Sequence, residues 1–550
     1  MTGMKKIVNI SILACLISFF FIGSFTSCKD EADLVLPRLF RPIGFNVSTN
    51  KTVATFSWAA VDSAVSYSLK VSNDSLNFNK LVIDTTLTSL SYVQELAGST
   101  KFFARIYANA KDTTKNSRFN TLSFKTPAEN IFSGYGTNTN TGKLYSAYMT
   151  DIKTLNVKWT PGAKVTNLTI TSADGATSNS LVISSSEAAA GEKTISSLAN
   201  SNWTIKIYNN AILRGTTTGL VEGDVVLKSG DDLPTAITNA IAGQVILLPA
   251  GAVFPMGTTT YRLGKSVKVR GLSFTNRPVI CPSTGASATA SPLGFVDAST
   301  IDYVRFENID FTGYCANNTA GIKAGYLINN NTFAKVKSLS FTNCNLHNFG
   351  NTPMRVQGNK NQVVDTLSFN GCVINDIGFA STYAIVNSNS ADFINTINFN
   401  NCTVYNFRGS LVSRTTQTLN SINVTNCTFN QGMQEAGTSV RFFIDTNNAA
   451  FTGSGINIEN CIIGSSGTMA GGIRFTSTIG KLLLANSYFT NNYKELAAYN
   501  GVDYSTTLIK GRLTAYSGAS TALWNNPVTG DFSFKDATFV GKGVAGDLRW

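Results

Sequence analysis

Between Leu339 and Cys461 the chain repeats one phrase: an alternating apolar run, then Asn, then Cys. The copies are Leu339-Ser-Phe341-Thr-Asn343-Cys344, Leu367-Ser-Phe369-Asn-Gly371-Cys372, Ile397-Asn-Phe399-Asn-Asn401-Cys402, Ile422-Asn-Val424-Thr-Asn426-Cys427 and Ile456-Asn-Ile458-Glu-Asn460-Cys461. Weaker copies flank them, ending at Ile309 and Ser487, so the last residues of successive copies lie 35, 28, 30, 25, 34 and 26 residues apart. A unit of this length cannot bury its apolar face alone, and neighbouring units must stack. The period of two predicts strands, and no sustained 3.6 period lies between the copies, which disfavours a helical solenoid. The repeat therefore predicts one coil of a parallel β-helix per copy, with strands stacked ~4.8 Å apart. Stacking places like residues in columns. The Asn column is expected to hydrogen-bond from rung to rung, and the Cys column to fill a narrow interior as unpaired small hydrophobes. A second strand per coil is expected at residues 321–331, 353–358, 383–387, 411–415, 440–445 and 472–476.

Both ends of such a solenoid expose core and strand edges. Asp231-Asp232-Leu233-Pro234, followed by Ala236, Ile237, Ala240 and Ile241, predicts a short amphipathic helix with an Asp cap and an early Pro. It is placed as a plug at the first coil. The tail, with Phe532, Phe534 and the terminal Gly546-Asp547-Leu548-Arg549-Trp550, is placed as a cap at the other end.

The chain opens with Lys5 and Lys6, an apolar run over residues 7–25, then Thr26-Ser27-Cys28. This is the pattern of a secretory signal. The residues before Cys28 resemble a bacterial lipoprotein cleavage box, with Phe25 where an aliphatic residue is usual. That resemblance makes Cys28 the lipidated first mature residue. Lys29-Asp30-Glu31 resembles the surface-export signal of Bacteroidota lipoproteins. No later run approaches the ~20 apolar residues of a membrane-spanning helix.

Residues 36–127 read as an all-β sandwich with short, turn-punctuated strands: Val53 to Trp58, Val65 to Val71, then Leu96 and Phe102 to Tyr107. They resemble a fibronectin type III domain, in which Trp58 is the early core Trp. Residues 128–222 echo the theme, with Leu155 to Trp159 and then Leu198 followed by Trp203 to Tyr208. The organisation expected is a signal peptide (1–27), a lipidated tether (28–35), two sandwiches (36–127 and a divergent 128–222), and the β-helix with its caps (223–550). The sandwiches act as spacers if Trp58 and Trp159 are core, and as carbohydrate-binding modules if those rings are exposed.

The net charge of +12 comes from 44 basic and 32 acidic residues. It permits attraction to anionic glycans or membrane surfaces. No basic cluster with interleaved aromatics appears, so nucleic acid is not an expected partner. Arg355, Arg414, Arg441 and Arg474 all fall in the second strand of their coils. Stacking would bring them toward one face, where guanidinium forks suit the carboxylates of an acidic glycan. Tyr383, Phe442, Phe443 and Phe475 lie close in sequence, either to stack on sugar rings or to serve as core. His347 is read as structural. The acids Asp365, Asp376, Asp392, Asp445 and Glu459 are scattered, with neither the paired carboxylates of a glycosidase nor a Ca²⁺ cluster. No metal or other cofactor is expected.

The signal and Cys28, the fibronectin-like domain, the Asn-Cys coils and the Gly-Asp-x-Arg-Trp terminus together resemble a family of uncharacterised Bacteroidota surface lipoproteins. Leu548 stands where that family usually has Pro. The resemblance implies a right-handed, pectate-lyase-like β-helix and a setting of pectin-like glycans, without handing over a catalytic set. The expected fold is all-β: one or two fibronectin type III-like sandwiches, then a single-stranded right-handed parallel β-helix. The expected function is a lipoprotein of the bacterial outer-membrane surface that binds an acidic, pectin-like polysaccharide without catalysis. The alternative is a polysaccharide lyase or hydrolase acting on uronate-containing glycans.

Overall fold

A computed structural model describes residues 38–550 except 76, 135–145, 258–259, 283–290, 316–322, 382, 390, 415–417, 435–438, 448, 476–480 and 504–507. Cys28 and the leader lie outside the described residues. The chain forms two compact units, one ending at Glu129 and the other beginning at Asn130.

The first unit is a seven-stranded sandwich. Its strands are β1 (Asn46–Asn50), β2 (Val53–Ser57), β3 (Ser66–Ser72), β4 (Leu81–Leu87), β5 (Ser91–Glu95), β6 (Lys101–Asn109) and β7 (Asn120–Lys125). One sheet runs β1-β2-β5 and the other β4-β3-β6-β7, the split expected of a fibronectin type III domain. Strand β6 shows why it forms: Phe102, Ala104, Ile106 and Ala108 alternate inward and are buried. Trp58 is buried against Phe45 and Tyr67.

The second unit begins with another sandwich of the same topology. Its strands are β8 (Ala147–Asp151), β9 (Thr154–Lys158), β10 (Asn167–Ser172), β11 (Ser178–Val182), β12 (Glu192–Ile195), β13 (Ser201–Asn209) and β14 (Ile212–Val221). The sheets are β8-β9-β12 and β11-β10-β13-β14. Trp159 is fully buried, so both early Trp residues are core rather than sugar platforms. This sandwich shares its core with the first coils through Leu247 and Leu272. At the junction Glu222 accepts from Lys268 at 2.6 Å and Arg270 at 2.7 Å, and Lys268 also reaches Glu307 at 2.9 Å. Burial raises the Glu222 pKa, but Arg270 and Lys268 outweigh it and hold the carboxylate below its usual range. The desolvation of buried charges offsets much of their mutual attraction, so these contacts are weak evidence for added stability. Tyr148 donates to the Gly271 carbonyl at 2.7 Å and accepts from Asn308 at 2.8 Å.

The remainder is a single-stranded right-handed parallel β-helix. Each coil contributes to three sheets rather than the two expected. Among the described residues, sheet one has ten strands, from Val225–Val226 to Leu482–Ala485. Sheet two has ten, from Val253–Met256 to Thr514–Tyr516, and sheet three has eight, from Tyr261–Leu263 to Ala470–Phe475. Sheet one holds the repeated phrase, and sheet three holds the strands expected to come second. Sheet two was missed because most of its strands, such as Asn345–His347 and Thr428–Asn430, are only two to four residues long and directly follow the Cys in the repeated coils. Three residues are too few to show alternation.

Stacking is in strict register. Leu339, Leu367, Ile397, Ile422 and Ile456 form one ladder; Phe306, Phe341, Phe369, Phe399, Val424 and Ile458 form the next. The four Phe rings stack face to face at centroid spacings of 5.3, 5.2 and 4.9 Å. Cys344, Cys372, Cys402, Cys427 and Cys461 are buried and free. Four of these thiols donate across a rung, Cys344, Cys372, Cys402 and Cys461 reaching the carbonyls of Phe306, Phe341, Phe369 and Val424 at 3.3–3.6 Å. Burial pushes the Cys344 thiol up to about 12. Cys281 and Cys315, outside the column, form a disulfide.

The Asn column has a different role from the one expected. Asn308, Asn343, Asn401, Asn426, Asn460 and Asn486 all adopt left-handed φ of 46–58°, and Gly371 does so at 64°. The corner between sheets one and two demands that conformation, which Asn and Gly tolerate. Rung-to-rung bonding in this column runs through the backbone: Asn343 N–H donates to Asn370, Gly371 to Asn400 and Asn401 to Thr425. Of its side chains, Asn343 bonds Asn308 at 3.1 Å. The Asn401 amide is buried with neither polar atom bonded. A side-chain ladder does form on the outside of sheet one, where Asn457 donates to Asn423 at 2.7 Å and Asn423 to Asn398 at 2.8 Å.

The helix Leu233–Asn239 has Asp232 as N-cap and buries Leu233, Pro234 and Ile237 against the first coils, as expected. The tail departs from expectation. It runs back along the outside of sheet two, where Leu523, Trp524, Phe532, Phe539 and Ala545 pack with Ile462, Tyr405 and Tyr488. Buried Asp547 accepts from Thr403 at 2.8 Å and pairs with Arg549; Arg549 reaches the Cys372 carbonyl at 3.0 Å and Trp550 donates to Thr403 at 2.9 Å. The terminal motif is thus a clasp on the flank of three coils. Short hydroxyl residues in sheet two, Thr403 and Thr428, leave room and supply partners for it.

Candidate functional site on the third sheet

Sheet three places one outward column on six of its eight described rungs: Asn329, Arg355, Asn387, Ser413, Asp445 and Arg474, each the register partner of the next. The inward column beside it is Ile328, Met354, Val386, Val412, Ile444 and Ile473, all buried. Strand alternation therefore turns the polar column outward because its neighbours fill the core.

Of the four arginines singled out, Arg355 and Arg474 stand in this column. Arg441 opens the strand Arg441–Asn447, four residues before Asp445, and lines the same face. Arg414 does not join them. It lies one residue past Ser413, and that single step turns it inward beside Ser388 at 3.4 Å and over the Phe393 ring. It is 2% exposed, and burial lowers its pKa to about 10.

A cleft of about 300 Å³ opens on this face, and the side chains that give it chemistry are Tyr383, Asn387, Ser410, Ser413, Arg441 and Asp445. At one end Arg355 lies over the Tyr383 ring at 4.2 Å and donates to the Tyr326 hydroxyl at 3.2 Å. Its Nε is buried without a hydrogen-bond partner. At the other end Arg474 grips Asp445 through two bonds of 2.9 and 2.8 Å and lies over Phe442. Among the described residues, three guanidiniums and one carboxylate, Asp445, stand on this face. Phe442 and Phe443 are buried core; the Phe475 side chain lies outside the described residues. Tyr383 is the half-buried aromatic that reaches the cleft.

The sequence reading missed Asp445 as the partner of Arg474. The signal was available: the two are 29 residues apart, within the spread of the repeat. Asp392 is buried and accepts three backbone N–H groups, from Asn359, Lys360 and Gln362, and so is a turn clamp. Asp376 is held by Asn375 and Asn406. His347 bonds Asp310 at 2.7 Å and Asn348 at 2.8 Å, which engages both ring nitrogens. Among the described residues no group of three His, Cys, Asp or Glu side chains is placed to hold a metal ion, and no helix is long and apolar enough to cross a membrane.

A family model described as a domain of unknown function (DUF5123) matches residues 422–550, the last coils and the clasp. No curated protein matches the chain. Among solved structures, the chain is similar to one titled "Structure of FN3tt mut", at 20% identity over 16% of this chain and 98% of that one, TM-score 0.15. It is also similar to a two-domain fibronectin type III segment of chicken tenascin, at 17% identity over 33% of this chain and 99% of that one, TM-score 0.18. A third similar structure, the chicken CNTN1 FN1–FN3 domains, shows 14% identity over 34% of this chain and 68% of that one, TM-score 0.15.

Proposed function

We propose that this protein is a surface-anchored lipoprotein of the Bacteroidota type that binds an acidic, pectin-like polysaccharide on the outer face of sheet three, without cleaving it. The observation that carries the reading is the cleft lined by Tyr383, Arg441 and Asp445, with Arg355 over the Tyr383 ring and Arg474 on Asp445. Arg355, Arg441 and the sugar-sized concavity beside Tyr383 offer guanidinium forks for carboxylates and an aromatic edge for a pyranose ring. Asn387, Ser410 and Ser413 supply neutral partners for hydroxyls. Glycoside hydrolysis needs two carboxylates flanking the bond, whereas Asp445 is the one acid among the described residues that line this cleft, and Arg474 engages it by a bidentate contact. In this reading Cys28 carries the lipid, and the two sandwiches lie between it and the β-helix in the chain.

Calorimetry of the mature chain with polygalacturonate tests it. Saturable binding is expected, weakened at least about tenfold in Arg355→Ala/Arg441→Ala, since each charge-assisted contact contributes ~1.5–3 kcal/mol. The ultraviolet absorbance of unsaturated products should stay flat. Undiminished binding by the double variant, or rising absorbance, would overturn the proposal.

A further inference from the structure

Resting on the acidic-glycan reading, we infer that the ligand is a linear polymer lying parallel to the solenoid axis, one sugar per coil, with a footprint of five units. Arg355, Asn387, Ser413, Asp445 and Arg474 occupy five consecutive rungs of one column. Four steps at the strand spacing of ~4.8 Å set the backbones of Arg355 and Arg474 ~19 Å apart. A pyranose linked through opposite ring positions advances by nearly the strand spacing per unit, so a linear chain keeps pace with the rungs. A chain crossing the axis would meet one rung and leave the column behind.

The chemistry along the column agrees. A cation stands at each end, Arg355 braced by Tyr326 and Tyr383, and Arg474 braced by Asp445. Between them Asn387 and Ser413 are short and neutral, and they share the cleft floor with Ala384 and Ser410. The cleft lining thus spans the three middle rungs of the column, Asn387, Ser413 and Asp445, with Tyr383 and Arg441 beside them, and the two terminal arginines stand one rung beyond it on either side. The two ends cooperate only through a ligand long enough to touch both.

The test is calorimetry of the mature chain with galacturonic acid oligomers of one, two, three, five and eight units. Linking contacts through one chain raises affinity by effective concentration, so binding should tighten at least about 100-fold from dimer to pentamer and change little beyond. Arg474→Ala should lower the affinity for the pentamer while leaving that for the trimer nearly unchanged. Equal affinity of monomer and pentamer, or steady tightening from five to eight units, overturns the axial five-unit track but leaves acidic-glycan binding standing. Failure of every oligomer and of polygalacturonate to bind overturns both.

Discussion

Inside the coils, Cys344, Cys372, Cys402, Cys427 and Cys461 form one column; on the outside of sheet three, Asn329, Arg355, Asn387, Ser413, Asp445 and Arg474 form another. The inner column repeats a single residue type, because each thiol fills the same small space against the rung below. At its two ends the column passes to the larger Ile309 and the polar Ser487, both buried, so the thiol-sized space belongs to the five middle coils. The outer column varies freely, since water accommodates Asn, Ser, Asp and Arg alike. Packing thus enforces chemical repetition within and leaves the outer face open to a ligand. Arg414 marks the boundary between the two regimes: a one-residue offset moves an arginine from the ligand face into the interior.

Three experiments probe this contrast, from the largest effect to the smallest. Phe369→Ala removes a fully buried ring from the middle of the four-Phe stack. It should cost about 3–5 kcal/mol in urea unfolding. A loss below about 1 kcal/mol would mean that the inner ladders do not hold the coils. Arg414→Ala and Arg474→Ala then separate the two sides. The buried Arg414 truncation should cost about 2–4 kcal/mol through lost packing and leave polygalacturonate affinity unchanged. The Arg474 truncation should cost under about 1 kcal/mol, as for other half-exposed ion pairs, yet weaken binding to oligomers of five or more units. Reversal of either pattern would place the ligand elsewhere. Gly371→Asn is the mildest probe. Asn tolerates the left-handed corner, restricts the unfolded chain, and would stand between Asn343 and the unbonded amide of Asn401. Stabilisation of about 0.5 kcal/mol is expected from thermal unfolding; destabilisation would mean the corner is selected for its missing side chain.

The corner column shows how local pattern and tertiary cause separate. Repetition of Asn in the sequence was visible, and so was the single Gly. Their shared reason, a left-handed backbone at each turn from sheet one to sheet two, emerges only when φ is known. The tail is similar. Its Gly-Asp-x-Arg-Trp motif was recognisable, but its path was not, because its partners Thr403, Thr428 and the Cys372 carbonyl lie more than a hundred residues upstream.

By itself the sequence determined the strand period, the coil repeat, the two sandwich-like domains and the unpaired interior Cys column. All of these are imposed by short-range alternation and the need to bury one face. Tertiary structure decided the third strand of each coil, the clasp along sheet two, and which of four arginines share a surface. The physical reason is register. Steps between coils range from 25 to 35 residues, so turn lengths, which no periodicity encodes, set whether a residue two rungs away lies overhead or faces the other side.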